Sequence, residues 1–406
     1  MTSSLLILLI LISVSWAYWI VTCVVAHRFF RHRVQYAPFS PPVSILKPVK
    51  GVDTGALENF ASFCRQTYPS FEILFGIAEP SDPAIPLVRQ LQRSFPAVPI
   101  RLIVTPTRGT NRKVSLLQTL AREASHDVLV VNDSDMRVGP DYLARVVAPL
   151  GDPAVGIVTC PYRGEDPATL TARLEALHMG VTFLPSVVFA REVMDVKFAL
   201  GATMVLRRED LASMGGFAAV ADHLADDYEI GSRIGGLGLK VVLSDYMVAS
   251  MLGETSFRDQ WDRELRWARC NRASQPLGYV GYAVSFTTPL ASIFLIADRF
   301  AALGWAILAG SILIRWVVGW AITFDTDDAA ARRWLPLLPI RDMLSAVIWM
   351  AGVFGRRVVW RGESFVVLAD GRLREAAAAA EEGRWFSGPA RVYRRRPVPE
   401  KTGADR

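Results

Sequence analysis

The chain has 406 residues, 51% of them hydrophobic, a mean hydropathy of +0.26, a formal net charge of +6 and a pI near 9.2. So apolar a composition is high for a soluble protein and calls for membrane segments. The basic excess forms no Lys/Arg stripe with interleaved aromatics, which excludes nucleic acid as the partner and leaves a surface of anionic lipid. The four cysteines, Cys23, Cys64, Cys160 and Cys270, have no metal or redox spacing and fit a reduced compartment without a disulfide framework.

Residues 5–26 carry no charge over 22 positions, enough to cross a bilayer. A cleaved signal peptide is the alternative, but the leader MTSS lacks a positive charge and the apolar run exceeds a typical signal core. His27, Arg28, Arg31, His32 and Arg33 follow directly, so the positive-inside rule puts this end in the cytoplasm and the N-terminus outside. Strands are predicted at 43–46, 71–77, 100–104 and 128–131, alternating with helices at 57–65, 85–95 and 112–124. That alternation predicts a parallel, doubly wound sheet. No GxGxxG follows the first strand, so a dinucleotide cofactor is not indicated. The GGLG at 235–238 reads as a helix stop.

The segment DVLVVNDSDMRV, 127–138, organises the rest. Its β-branched and Leu run is the pattern of a strand buried on both faces, and Asn132, Asp133, Ser134 and Asp135 follow at once. Acids at the carboxyl end of a parallel strand face the ligand crevice of α/β folds. Two hard carboxylates there, Asp133 and Asp135, suit Mg²⁺ or Mn²⁺ carrying a diphosphate; a plain polar turn is the alternative. Asp82 ends another strand and can face the same crevice. Lys113, at a helix start, can add positive charge for phosphates or be a solvated surface lysine.

Further on, 179–190 is nearly all apolar and broken by Pro185, which fits a helix packed in the core or one lying on the membrane. Residues 197–206 read as a strand bent at a glycine, and Gly215-Gly216-Phe217 as a tight turn. Asp226 and Asp227 open a helix, where the dipole alone would favour them. Arg263 and Arg266 share a helix face, with Trp267 adjacent, just before the second apolar block. In that block 279–297 and 300–324 read as two spans separated by Asp298-Arg299. Arg315 lies inside the second span and is expected to snorkel to the interface. The apolar stretch 343–354 covers only 12 residues; with 339–342 it could form a third span, or it could be a re-entrant or interfacial helix, and non-crossing or partial insertion is expected.

Taken in order, Asp82, NDSD, ADDY and RELRW resemble the D, DxD, (D/E)D and (Q/R)xxRW set of inverting, processive-type GT-A glycosyltransferases. LKPVKGVD, NRKVSLL, DSDMRVGPDYL and GATMVLRRE look like the ceramide glucosyltransferase family and its bacterial relatives, which include hopanoid-lipid glycosyltransferases. The resemblance covers roughly 43–277, the anchor and the later spans. It implies a GT-A (nucleotide-diphospho-sugar transferase) fold of α/β class, mostly parallel and doubly wound, with N- and C-terminal transmembrane helices. The implied domains are an anchor at 1–27, a cytoplasmic catalytic domain at 28–277, a membrane region at 278–357 and a basic cytoplasmic tail at 358–406. The implied setting is a bacterial inner membrane.

The implied activity is transfer of one sugar, glucose or N-acetylglucosamine among the options, from a UDP-sugar to a hydroxyl of a membrane lipid, ceramide or a hopanoid polyol. By the same resemblance Asp82 would contact the uridine end, and Asp133 and Asp135 would hold the metal-diphosphate. Asp227 would be the general base, with Asp226 in reserve. Arg263, Arg266 and Trp267 would cap the diphosphate and acceptor region, and Lys113 would help stabilise the leaving group. Trp360-Arg361-Gly362 resembles a late W(R/K)G element of the wider group. The eukaryotic ceramide enzymes differ in two ways: they carry His-Pro where this chain has Phe183-Leu184, and they lack the acid at Asp135. Two rival readings are a processive polysaccharide synthase, for which three or four apolar blocks offer no obvious polymer conduit, and a non-catalytic scaffold, against which the intact acids stand.

Overall fold

The computed structural model describes residues 2–32 and 34–376. Residues 377–406 of the expected tail lie outside them.

Helix α1 (Ser3–Arg31) starts where the Thr2 hydroxyl accepts a hydrogen bond from the Leu5 N–H. Its 29 residues reach about 43 Å at 1.5 Å per residue. A Rossmann-like half follows: β1 (Val43–Val49), α2 (Ala56–Cys64), β2 (Phe71–Ile77), α3 (Ala84–Ser94), β3 (Ile100–Val104), α4 (Arg112–Glu123) and β4 (Val128–Val131). β1 is parallel to both β2 and β4, and β2 to β3. Every residue of β1 and β4 is buried because helices cover both faces, which is why their sequences do not alternate.

The second half contains β5 (Met136–Arg137), α5 (Tyr142–Val147), β6 (Val155–Thr159), β7 (Tyr162–Pro167), α6 (Leu170–His178), α7 (Leu184–Glu192), β8 (Met204–Arg207), α8 (Arg208–Ser213), α9 (Asp226–Gly236), β9 (Lys240–Leu243) and β10 (Val248–Gly253). The seven-stranded sheet has the order β3-β2-β1-β4-β8-β6-β9. β8 runs antiparallel to both β4 and β6, so the expected parallel sheet is interrupted by one reversed strand. That strand is shorter than expected. Residues 198–203 leave the ladder, held by the Thr159 hydroxyl against the Leu200 N–H at 2.8 Å, and fold over the end of β4. A small sheet, β5-β10-β7, closes one side.

The chain ends in α10 (Phe257–Ser274), α11 (Pro276–Gly281), α12 (Thr287–Ala297), α13 (Ala302–Asp325), α14 (Ala329–Arg333), α15 (Leu338–Val353) and a three-stranded sheet of β11 (Arg357–Trp360), β12 (Glu363–Val367) and β13 (Leu373–Glu375). Among the described residues three helical segments are long and apolar enough to cross a membrane: α1, α13 and residues 335–353, which include α15. The single span expected at 279–297 is instead two helical pieces bent by 62°.

Two other expectations are corrected. Arg315 does not snorkel. It is 1% exposed, its Nε and Nη2 each 2.9 Å from an oxygen of Asp342, with Thr182 Oγ1 at 3.0 Å and the Trp19 ring 3.6 Å away. The third apolar segment is also longer than the sequence shows, because Arg341 and Asp342 read as a polar boundary. In the fold they lie inside the helix, Arg341 paired to Glu264 at 2.5 Å and Asp342 to Arg315. Neutralised pairwise, they extend the segment to 19 residues.

Candidate functional site

The site grows from the end of β4. Asn132 is buried and serves as a pin: its amide donates to the Tyr142 hydroxyl and the Ala202 carbonyl, both at 2.8 Å, and to Thr203 Oγ1 at 3.0 Å. The strand end is thereby tied to the 198–203 loop, and Asp133 emerges beneath that loop.

Three elements converge there. Asn111 caps α4, accepting from the Val114 N–H at 3.1 Å, and the first turn delivers Lys113. Lys113 Nζ lies 2.8 Å from Asp133 Oδ1 and 3.4 Å from Asp226 Oδ2, so it is not a solvated surface lysine. Asp227 Oδ2 accepts the Gly201 N–H at 2.7 Å, and its other oxygen accepts the Tyr228 N–H at 2.8 Å. Gly201 is the measure of how tight the assembly is. A Cβ added to it would fall 3.1 Å from Asp133 Oδ2, 3.2 Å from Asp227 Oδ2 and 3.3 Å from Lys113 Nζ. Lys113, Asp133 and the adjacent Asp226 and Asp227, from three separate segments, therefore face one pocket.

Its electrostatics follow from burying like charges together. Burial first, then Asp226, pushes Asp227 up to about 6. Burial first, then Asp133 and Asp53, pushes Asp135 up to about 6. Burial works to lower Lys113, but Asp133, Asp226 and Asp227 together override it and raise its pKa. Lys47, fully buried with its Nζ 3.3 Å from the Asp133 carbonyl and 3.4 Å over the Phe63 ring, is brought down to about 7 by burial.

The remaining expected residues sit around this centre in different ways. Asp82 accepts the Gly51 and Ala84 N–H groups, both at 2.9 Å, and so shapes the loop after β1. That loop carries Asp53, whose Oδ2 takes the Ser134 hydroxyl at 2.5 Å. Asp135 accepts from Ser250 Oγ at 3.2 Å. Arg266 is drawn down in pKa by burial and lies 5.7 Å from the Trp360 ring, with Arg361 and Asp133 acting on it electrostatically. Arg263 turns away to the fully buried Glu175. Trp267 packs against the cluster of Ala172, Ala176, Met179 and Leu252.

Sequence reasoning left several participants without a role. Asp53, the last residue of LKPVKGVD, and Arg361 of the W(R/K)G-like element pair at 2.9 Å across 308 positions, closing the C-terminal hairpin over the acids. Tyr162, raised in pKa by burial and then by Asp227, Asp133 and Asp135, stands beside the carboxylates and against Phe183. Gly201 opens the family-like GATMVLRRE and reads in the sequence as a glycine bend in a strand, with no role in the site assigned to it.

Among the described residues no group of three or more His, Cys, Asp or Glu side chains is arranged to hold a metal. Asp133 and Asp135 nevertheless fit a hard cation that is bound mainly through substrate phosphates, because such ions need only one or two carboxylates. Asp135 is raised first by burial and then by Asp133 and Asp53, and a cation held between the carboxylates would relieve the repulsive part.

An apolar cluster joins the site to α1, a helix long and apolar enough to cross a membrane. Val25, Phe29 and Phe30 at the end of α1 pack with Leu184, Val187 and Val188 of α7 and with Leu200, the neighbour of Gly201.

Comparison with known proteins agrees with this geometry. The profile of glycosyl transferase family 21 matches residues 5–373. Ceramide glucosyltransferase 3 of Caenorhabditis elegans is 26% identical over 247 residues, 60% of this chain and 54% of that protein. Ceramide glucosyltransferase 1 of the same organism is 23% identical over 353 residues, 84% of this chain and 75% of that protein. Thus the match spans about half of the first relative and three quarters of the second. Among solved structures, a mannosyltransferase of Pyrobaculum calidifontis in complex with GDP-Man and Mn²⁺ superposes with a TM-score of 0.56 at 19% identity, covering 85% of this chain and 98% of that one. That likeness establishes the GT-A fold.

Proposed function

The chain belongs to glycosyl transferase family 21, and from that premise we propose that it moves a single sugar from a UDP-sugar to a hydroxyl of a membrane lipid of the ceramide or hopanoid-polyol kind, with inversion. The observation that carries this reading is the convergence of Asp133, Asp227 and Lys113 around Gly201, beside an apolar cluster that reaches α1.

In this mechanism Asp82 and the loop it shapes receive the uridine end. Asp227 accepts the proton of the lipid hydroxyl as that oxygen forms its bond to the anomeric carbon; Asp226 stands beside it. The bond from that carbon to the diphosphate breaks on the opposite face, and its electron pair leaves with UDP. Lys113 and Arg266 stabilise the charge that develops on the leaving diphosphate. Asp133 and Asp135 would hold Mg²⁺ or Mn²⁺, which when bound supplies Lewis-acid neutralisation of that diphosphate. Arg263 and Trp267 position the helix that carries Arg266, through Glu175 and the apolar cluster. A carboxylate raised to about 6 is a better proton acceptor near neutral pH than an ordinary aspartate.

Asp227→Asn separates binding from chemistry. The variant is expected to bind the UDP-sugar with wild-type affinity and to lose turnover by on the order of 10²–10⁴-fold. A variant with near wild-type turnover would remove Asp227 from the role of base.

A further inference from the structure

A second basic site lies away from the sugar-transfer pocket. Arg269 and Arg272 of α10 and Arg356, just beyond α15, line a groove of about 450 Å³ whose other walls are apolar, among them Pro276, Val353 and Leu368. Among the described residues no carboxylate lines it. The two helix arginines donate to carbonyls at the end of α15 and in the turn that leads to β11: Arg269 to Phe354 and Arg357, Arg272 to Val353 and Gly355. Capping uses only part of their donor capacity. The Arg269 Nε–H is buried with no partner, and Arg356 is exposed.

The groove also borders an apolar segment. α15 ends a segment long and apolar enough to cross a membrane, and its last residues pack beside Arg269 and Arg272 of α10. Phe354 is 66% exposed, Leu277 86% and Val280 67%, an apolar fringe directly beside the arginines. Large apolar side chains left outside a protein, next to unneutralised guanidinium groups, match a lipid interface: acyl chains cover the first and headgroup phosphates the second. Arg269 and Arg272 are also one turn apart and repel each other, which, after burial, lowers the pKa of Arg269. An anion between them would remove that penalty.

We propose that this groove binds the phosphate of an anionic phospholipid headgroup from the leaflet facing the catalytic domain. Because the same helix carries Arg266 one turn earlier, the lipid would fasten the donor side of the transfer pocket to the membrane surface.

Native mass spectrometry of the full chain, released from bilayers of equimolar phosphatidylglycerol and phosphatidylcholine, tests this. Wild type is expected to retain one phosphatidylglycerol in preference to phosphatidylcholine. Arg356→Glu, which breaks no capping bond, and Arg269→Gln with Arg272→Gln are expected to weaken retention by roughly fivefold per arginine. The unchanged melting temperature of Arg356→Glu serves as the folding control. Equal retention of the two lipids, or wild-type retention by Arg356→Glu, would overturn the proposal. Displacement of the lipid by millimolar inorganic phosphate would overturn the lipid as the source of the anion.

Discussion

Gly201 has no side chain, yet its position is among the most constrained in the pocket. A methyl group there would press on Asp133, Asp227 and Lys113 at 3.1–3.3 Å. These three can yield only by moving the groups that do the chemistry. Gly201→Ala is therefore expected to fold with an unchanged melting temperature and to lose turnover on the order of 10²-fold, the scale associated with misplacement by about 1 Å. Wild-type turnover in that variant would show the pocket to be looser than it is drawn here. Asp133→Ala acts on a different step. It is expected to weaken UDP binding in a titration with Mn²⁺ and to leave metal-free binding little changed. Unaltered affinity with Mn²⁺ would take Asp133 out of the metal site. These residues were legible in the sequence because strand-end and helix-start acids have characteristic surroundings. The place of Gly201 in the site and the presence of Tyr162 were not, because both come from what the fold brings next to them.

At the scale of elements, consecutive residues of α15 bolt three helices together. Arg341 reaches Glu264 of α10, and Asp342 reaches Arg315 of α13. Removing one partner strands a buried charge, so Arg315→Met is expected to destabilise by about 3–5 kcal/mol, and Arg315→Met with Asp342→Leu to recover much of that loss. Thermal unfolding in detergent measures both; a double variant no better than the single would contradict the pairing. A second element-level tie is Glu72, buried between β1 and the start of β4, which accepts the Ser44 hydroxyl and the Ser125 N–H at 2.6 Å. Burial would raise its pKa, but these hydrogen bonds hold it below the ordinary 4.5. A carboxylate lowered in the folded state adds stability above its unfolded pKa and loses it on acidification through the folded value. Wild type should thus lose melting temperature below about pH 4.5 more steeply than Glu72→Gln; parallel curves would exclude Glu72 as a contributor. The alternating strands and helices of the first half were readable from the sequence because both-face burial leaves continuous apolar runs. The reversed β8 and the length of α15 were not: strand direction depends on the loop pinned by Thr159, and the third apolar segment is masked by charges that find partners 77 and 27 positions away.

For the whole molecule, the question is how a water-soluble nucleotide-sugar meets a lipid. The pocket is lined by Asp133, Asp226, Asp227 and Lys113 on one side. On the other side Leu200 packs against α7 and the end of α1, so under the proposed function a lipid acceptor carried along those helices would arrive beside Asp227. The C-terminal hairpin adds a cover over the donor side, with Glu363 paired to Lys50 at 2.9 Å and Arg112 at 3.1 Å, and Arg361 paired to Asp53. The most direct test is mass spectrometry of the lipids formed by the full chain in bilayers supplied with ceramide and hopanoid-polyol acceptors, Mn²⁺ and mixed UDP-sugars. The expected product is a lipid heavier by a single sugar, formed with an equal amount of UDP and absent with Asp227→Asn; a ladder of polymer masses, or no glycolipid at all, would contradict it.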